Sequence, residues 1–316
     1  MSGETLRFLR PASLVLRRYS RSLWFGLRVI RGSNLDVELT WVESRPLIDR
    51  INVLPEPETP MIATPPPISV QLYSLRESAA TDFAGVLRRL GDVGFVGVEL
   101  AGFNNLTPSE FAGVAKDSGL VVSSAHLGDL RADALNAALD DLQAIGCDTV
   151  AAAYLPPENF ADENAVLRSA EILNAANEIA RSRGMTFGYH NHWWEFTTLA
   201  DGQTAYAHLY DQLDPSVFAE LDLYWATVGG VDPKDVIAAL GDRVRLLHVK
   251  DGPADNPKSS MVAVGSGSVD IAGVLGASST VSWHVVELDR CDTDMFSAIA
   301  DSYRFLTGAG LSRGRV

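Results

Sequence analysis

The chain has 316 residues, of which 47% are hydrophobic and 21% are charged, and its formal net charge is −14. This composition is typical of a globular protein with a substantial core, and no apolar run reaches the roughly 18 residues needed for a membrane span. Because nucleic-acid binding depends largely on lysine and arginine displacing counterions from phosphates, the acidic charge argues against a DNA or RNA partner.

The first 66 residues differ in composition from the remainder of the chain. They are rich in arginine and lead into the proline-rich stretch TPPP (64–67). The pair Arg17-Arg18 resembles a twin-arginine export signal, but Arg28 and Arg31 interrupt the apolar region that such a signal needs. We therefore predict that residues 1–66 are a disordered or non-domain extension, with Met61 as an alternative start, and that residues 67–310 form a single domain.

From Ile68 onward, short runs rich in valine, leucine and phenylalanine alternate with amphipathic helical segments. The runs are almost continuously apolar, as expected for parallel strands that are covered on both faces. Eight βα units in about 245 residues match the usual size of a TIM barrel. The strand-like runs are ISVQLYSL (68–75), FVGVELAG (95–102), LVVSSAHLG (120–128), DTVAAAYL (148–155), MTFGYHNHW (185–193), VFAELDLYW (217–225), VRLLHVKD (244–251) and WHVVELDR (283–290).

The alternation predicts an α/β fold, and two arrangements of the strands fit it. A doubly wound open sheet uses the same alternation, but it usually has a glycine-rich phosphate turn after its first strand. Here the sequence LYSLRES (72–78) stands at that point. We therefore predict a closed (β/α)8 barrel. Pro108 and Pro233 fit the first turns of helices, and Gly184 fits the end of one.

Ionisable and polar residues concentrate near the ends of the predicted strands. Catalytic groups of TIM barrels lie at the C-terminal ends of the strands, and charged groups are costly to bury unless they are paired or bind a metal. This pattern therefore predicts a functional site at that end of the barrel. The residues are Gln71, Glu99, His126, His190, His192, Asp222, His248, Lys250 and Glu287.

Four of these residues come from four successive strands and form a candidate metal site. His190, Asp222, His248 and Glu287 lie near the ends of strands five to eight. Two imidazoles and two carboxylates suit a first-row divalent ion, and four protein ligands leave positions free for substrate oxygens. We therefore predict that these four side chains hold one divalent metal ion.

Two further residues are candidates for proton transfer. His192 shares the face of His190 because side chains alternate along a strand. We predict that His192 contacts substrate, while metal binding or support of a ligand remain open. Lys250 is predicted either to polarise a substrate oxygen or to pair with Asp222 or Asp251.

Other strand-end residues are candidates for holding the substrate. We predict substrate contacts for Glu99, His126 and Trp225, and a structural hydrogen bond for Glu220, which lies deeper in its strand. Aromatic residues at the same ends would form the wall of a sugar pocket, or serve as plain packing. They are Trp193, Trp194, Tyr224 and Trp225.

In this order, the motifs resemble the sugar phosphate isomerase/epimerase superfamily, which has a xylose isomerase-like TIM barrel. The resemblance runs from about Ile68 to Leu306 and covers none of the N-terminal extension. Any one motif would be weak, whereas the combination is specific. The motifs are QLYSLRE (71–77), GVELAG (97–102), YHNHWWEF (189–196), ELDLYW (220–225), LLHVKD (246–251) and VVELDR (285–290).

The resemblance implies one bound Mn, Co, Mg or Zn ion and proton transfer through an enediol or enediolate. In many members a Glu, Asp, His and Glu hold the metal, and the two glutamates act as acid and base. Asp222, His248 and Glu287 match three of these positions, but His190 replaces the first glutamate. The histidine-rich strand is similar to that of inosose dehydratase and keto-sugar lyases. A second departure is VGSGSVD (264–270), where relatives usually have Gly-Glu-Gly.

The leading hypothesis is a metal-dependent isomerase or epimerase of a sugar or keto-sugar, with a small sugar or polyol-derived molecule as its partner. Glu287 would be both ligand and base, with Lys250 or His192 assisting proton transfer. The alternative is a dehydratase or lyase that forms the same enolate and then expels a β-substituent. A multi-metal endonuclease and a non-catalytic sugar-binding barrel are less favoured. The two cysteines, Cys147 and Cys291, predict reduced thiols in a cytoplasmic protein, and a homo-oligomer is left open.

Overall fold

The computed structural model describes residues 64–278 and 280–315, so the predictions for residues 1–63 lie outside the described residues. Eight parallel strands close into a barrel in which each strand pairs with the next, and the last pairs with the first. The predicted (β/α)8 barrel is thus confirmed. The strands are β1 (Ile68–Gln71), β2 (Gly97–Leu100), β3 (Val121–Leu127), β4 (Thr149–Ala152), β5 (Thr186–His190), β6 (Phe218–Asp222), β7 (Val244–Val249) and β8 (Trp283–Val286).

Helices connect the strands and begin and end at the predicted signals. Pro108 and Pro233 occupy first-turn positions, and Thr107 and Glu110 form a capping box. Gly184, with φ 75°, comes directly after Arg183, the C-cap of α4 (Glu163–Ser182). The helices are α1 (Arg76–Val93), α2 (Pro108–Asp117), α3 (Ala132–Ala144), α4 (Glu163–Ser182), α5 (Ala205–Gln212), α6 (Leu223–Val228), α7 (Pro233–Leu240), α8 (Ile271–Ala277) and α9 (Met295–Gly308).

The strands end earlier than the apolar runs of the sequence. After β1 the chain turns into a 3-10 helix, Leu72–Leu75, and another follows β5 at Trp194–Phe196. Asp222 is both the last residue of β6 and the N-cap of α6, where its Oδ1 atom accepts the backbone N–H of Trp225 at 2.8 Å. Glu287 comes directly after β8. Several predicted site residues therefore lie at the mouth of the barrel.

The interior of the barrel has two halves of opposite character. The lower half, towards the N-terminal ends of the strands, contains Ala151, Phe218 and Leu246, with Trp283 packed against them. Gly188 leaves room for Phe218, because a Cβ atom there would overlap the phenyl ring. The upper half holds the ionisable residues of the strand ends. This contrast follows from residue choice on the same strands, since Phe218 and Asp222 both belong to β6.

Residues at both ends of the described chain close the bottom of the barrel. Arg313 donates its backbone N–H to the carbonyl of Pro66 at 2.9 Å and accepts one from Ile68 at 3.0 Å. The Nδ1 atom of His284 lies 2.8 Å from the hydroxyl of buried Ser312. Barrel contacts therefore continue past residue 310. In the residues described, no helix is long and apolar enough to cross a membrane.

Candidate metal centre

The four predicted ligands meet at one point in the upper half of the barrel. His190, Asp222, His248 and Glu287 are all buried, with at most 3% of each residue exposed. One ligand atom from each lies within 4.8 Å of the others. The closed barrel explains this convergence, because the ends of β5 to β8 are neighbours and their inward side chains share one space.

The carboxylate of Asp222 is engaged through both oxygens. Its Oδ1 atom caps α6, and its backbone N–H donates to the Oδ1 atom of Asn191 at 3.0 Å. The other oxygen, Oδ2, forms an ion pair with the ammonium of Lys250 at 2.9 Å but has no hydrogen-bond partner of its own. Burial raises the pKa of Asp222 to about 6, against the opposing effect of Lys250. His190 likewise has a buried Nδ1 atom without a partner.

His248 lies between two carboxylates. Its Nε2 atom is 2.8 Å from Glu99, and its Nδ1 atom is 2.8 Å from Glu287. Burial alone would lower the pKa of His248. The nearby carboxylates of Glu220 and Glu99 outweigh this effect and bring the pKa well above its usual value. A neutral imidazole can donate from only one nitrogen. To satisfy both contacts, His248 must therefore carry a second proton, or a cation must bind His248 and one of the two carboxylates.

The centre carries an excess of negative charge around one ammonium group. The buried Nζ atom of Lys250 lies 2.7 Å from Glu287 and 2.9 Å from Asp289. Of the two ion-pair partners predicted for Lys250, the structure shows Asp222 and not Asp251. Two imidazoles and two carboxylates whose ligand atoms lie within 4.8 Å of one another fit a divalent cation. The carboxyl groups grouped here are those of Glu99, Glu220, Asp222, Glu287 and Asp289.

Asp251 has a structural role in the glycine turn that departs from the family pattern. Its carboxylate accepts the backbone N–H groups of Gly265 and Gly267 at 2.9 Å each, and those of Gly252 and Val269 at 2.8 and 3.2 Å. Gly265 adopts a φ of 90°, which favours glycine. Both oxygens of the Asp251 carboxylate therefore accept hydrogen bonds from the turn and stabilise its shape.

A second layer of polar residues supports the ligands from below. His126 lies 2.6 Å from Glu220, which makes the hydrogen bond predicted for it. Glu99 accepts from the amide of Gln71 at 2.6 Å and from the hydroxyl of Ser124. Because Glu99 is fully buried beneath the pocket, its position does not support the predicted substrate contact.

Above the centre is a pocket of about 830 Å³ with an aromatic wall. The rings of His192 and Trp194 stack with centroids 4.4 Å apart, and those of Trp193 and Trp225 lie 4.7 Å apart. Trp225 lines this pocket as predicted, and so do His126, His192 and Glu287. Tyr224, by contrast, is fully buried and does not line it.

The sequence analysis did not identify Glu195 as the residue that fixes the loop of His192. Glu195 accepts the hydroxyl of Tyr189 at 2.7 Å and the backbone N–H of His192 at 3.0 Å. Burial raises the pKa of Glu195 to about 8, against these hydrogen bonds. Asp289 was also missed, although its spacing of two from Glu287 is the spacing of side chains that share a face.

Comparisons with known proteins agree with the barrel. The sequence profile described as Xylose isomerase-like TIM barrel matches residues 87–278. A sugar phosphate isomerase/epimerase from Parabacteroides distasonis is 23% identical, with a TM-score of 0.66, over 81% of this chain and 98% of its own. The probable 3-DHS dehydratase AsbF from Bacillus anthracis is 14% identical, with a TM-score of 0.62, over 76% and 98%. The IOLI protein with a bound zinc atom is 14% identical, also with a TM-score of 0.62, over 78% and 98%.

No curated protein matches the chain in sequence. At identities this low, the three solved structures show a shared fold and no more. The family profile is stronger, because it spans more than half of the chain and most of the barrel from α1 to α8. The chain therefore belongs to the xylose isomerase-like TIM barrel family.

Proposed function

We propose that this protein is a divalent-metal-dependent isomerase or epimerase that acts on a sugar or keto-sugar through an enediolate. The observation that carries the proposal is the convergence of four buried ligand atoms at the floor of an aromatic-walled pocket. Aromatic walls suit the apolar faces of sugar rings, and polar groups at the floor fix orientation. The names of the structural relatives, a sugar phosphate isomerase/epimerase among them, agree with a sugar-modifying enzyme.

The metal would be held by His190, Asp222, His248 and Glu287. A bound Mn, Co, Mg or Zn ion would act as a Lewis acid and stabilise the negative charge of the enediolate oxygens. The relative that binds zinc shares this fold. His190 binds the metal and takes no part in proton transfer, because a ligating imidazole has no free lone pair with which to remove a carbon-bound proton.

Glu287 is the proposed base. Its Oε2 atom is held by Lys250 and by His248, and the residue lines the pocket. A carboxylate fixed through one oxygen can present its other oxygen to a carbon-bound proton. Lys250 is fully engaged by carboxylates, so it acts by orienting Glu287 and by neutralising charge. His192 lines the pocket and is placed to exchange a proton with a substrate hydroxyl.

Metal analysis combined with deuterium uptake tests the proposal. The purified protein should contain about one divalent ion per chain, and keto-sugars or inososes incubated with it in deuterated water should take up deuterium at carbon. Dialysis against a chelator should abolish the uptake, and added Mn or Co should restore it. Asp222→Ala should purify with little metal, whereas Asp235→Ala, on the exposed face of α7, should retain it. A metal-reconstituted protein that exchanges no candidate substrate would contradict the proposal.

One observation favours the alternative of a dehydratase or lyase. The two carboxylates that line the pocket, Glu287 and Asp289, both follow β8, whereas imidazoles of His126, His190 and His192 line it from other strands. A symmetric epimerase needs a carboxylate on each face of the carbon, while an imidazole suits protonation of a leaving hydroxyl. Loss of water, or formation of an unsaturated absorbing product, would assign the lyase. His190→Glu would restore the second carboxylate and should raise epimerase character.

A further inference from the structure

Two exposed tyrosines stand at the rim of the pocket, apart from the groups assigned to chemistry. Tyr73 is 47% exposed and Tyr154 is 49% exposed, and both line the same pocket. Single exposed apolar residues are common, but two large rings at one cavity indicate a binding surface. In the part of the chain described, the other exposed large hydrophobic residues do not line this pocket. They are Val121, Leu167, Ile172 and Phe305.

The tyrosines lie on different sides of the mouth. Tyr73 follows β1 and Tyr154 follows β4, and these strands are three places apart in the closed barrel of eight. The candidate metal ligands lie on the floor below them. The pocket volume of about 830 Å³ lies in the upper part of the range of about 300–1,000 Å³ that is typical of sites for drug-sized molecules. A single sugar on the floor would leave much of this space to solvent.

Both rings are held in place by neighbours. The guanidinium of Arg76 lies 4.3 Å from the ring centroid of Tyr73 and covers one face. Arg76 is itself fixed by the carbonyl oxygens of Tyr73 at 3.0 Å and Asp289 at 2.9 Å. Tyr154 meets Trp194 and His192 edge-on, with centroids 5.4 Å apart in each case. A ring fixed in advance loses little conformational entropy when a ligand packs on it.

We propose that the substrate is a glycoside or similar conjugate whose reacting sugar retains a carbonyl group, and that a second ring joined to this sugar packs against Tyr73 and Tyr154. This inference rests on the proposed function for the sugar at the floor. The chemistry that the tyrosines recognise is a ring with an apolar face, either the C–H face of a second sugar or an aryl group. Tyr154 links this outer subsite to the inner one, because it packs on His192.

Binding measured by calorimetry separates this inference from catalysis. The probes are methyl and phenyl β-glucosides and β-galactosides, with cellobiose and lactose as two-sugar compounds. Ring-bearing probes should bind the parent protein at least about tenfold more tightly than the methyl glycosides, equivalent to about 1.4 kcal/mol. Tyr154→Ala and Tyr73→Ala should each reduce that advantage. Leu167→Ala, which removes an exposed side chain outside the pocket, should leave it unchanged.

Each outcome decides the inference without reference to turnover. An advantage confined to phenyl compounds assigns an aryl group to the outer subsite, and one confined to disaccharides assigns a second sugar. Equal binding of methyl and ring-bearing probes, or an advantage that survives in both tyrosine variants, overturns the inference. If the advantage depends on the tyrosines while no keto-sugar exchanges deuterium, the outer subsite stands and the proposed enediolate chemistry fails.

Discussion

The lower and upper halves of the barrel interior are equally buried but are built from opposite kinds of residue. Phe218 and Glu220 lie two residues apart on β6 and are 2% and 0% exposed. Burying a phenyl ring stabilises the fold, whereas burying a carboxylate costs free energy unless it finds partners. The lower half therefore contributes stability. The upper half, with its cluster of buried ionisable side chains, is explained by the metal and substrate that we propose it binds.

The largest effect on activity is expected from a substitution that removes the proposed base from the upper half and keeps the fold. Glu287→Gln keeps the shape of the side chain and an oxygen that can still bind metal weakly. Deuterium exchange should fall by about 10²–10⁴, the usual loss for a general base. The midpoint of thermal unfolding should fall only moderately, because buried Lys250 keeps Asp222 and Asp289 as ion-pair partners when this charge is removed. Glu158→Gln, on the surface, is the control. Exchange at the parent rate with full metal occupancy would move the base to His192, which also lines the pocket.

The lower half should respond in the opposite way. Phe218→Ala would leave a cavity beside Ala151 and Leu246, and such truncations cost about 3–5 kcal/mol of unfolding free energy. Urea unfolding followed by fluorescence measures the loss. The protein that remains folded should keep its metal content and its exchange rate within a few fold. A variant of parental stability that has lost metal would show that the two halves are not independent.

Gly188 offers a finer test of the same lower half. A Cβ atom there would overlap the ring of Phe218, so Gly188→Ala should cost about 1–3 kcal/mol through overpacking. In the Phe218→Ala background the new methyl group meets a cavity instead of a ring. The second substitution should then cost much less, and a double-mutant cycle gives the coupling. Additive costs would mean that strand geometry, rather than the phenyl ring, requires glycine at this position.

The fold was predictable from the sequence because buried parallel strands are apolar along their whole length. The predicted runs begin within two residues of the observed strands, as at Ile68, Val244 and Trp283. Their ends were set too late. In α6, for example, Leu223 and Tyr224 are fully buried although the strand has ended. Hydrophobicity reports burial and does not mark the residue at which a strand becomes a helix.

The candidate ligands were predictable for a related reason, since four neighbouring strands each carry an ionisable residue near the end. The depth of each side chain was not. Strand stagger places Glu99 a layer below the pocket, where it contacts His248, and sequence position alone does not give that stagger. Tyr73 lies in the 3-10 helix after β1 and Tyr154 lies in the loop after β4, and the paths of both segments depend on their neighbours. The outer part of the pocket therefore emerged only from the structure.

Glu195 is a buried carboxyl group near the pocket, and its titration shows whether it has a structural role or belongs to the functional residues of the upper half. Both of its oxygens have protein partners, Tyr189 and the backbone of His192, and it does not line the pocket. Its pKa rises from the ordinary value of 4.5 to about 8 because it is buried. Between these values the folded state binds more protons than the unfolded state, so the unfolding free energy should fall as pH rises.

Glu195→Gln removes this titration and keeps an uncharged group of the same shape, which can still bond to Tyr189 and to the backbone of His192. At pH 6 the variant should already be more stable than the parent by roughly 2 kcal/mol, because the unfolded parent ionises above pH 4.5 while its folded state does not. Replacing one uncharged hydrogen-bonding group by another in the folded state should change this difference by less than about 1 kcal/mol. Between pH 6 and pH 8 the variant should gain on the parent by roughly 2 kcal/mol, since one pKa unit corresponds to about 1.4 kcal/mol. Urea unfolding at both pH values measures the change, with Glu158→Gln as the surface control. Parallel pH profiles for variant and parent would show that Glu195 is already charged in the folded protein, and its carboxylate would then join the upper half as a functional group.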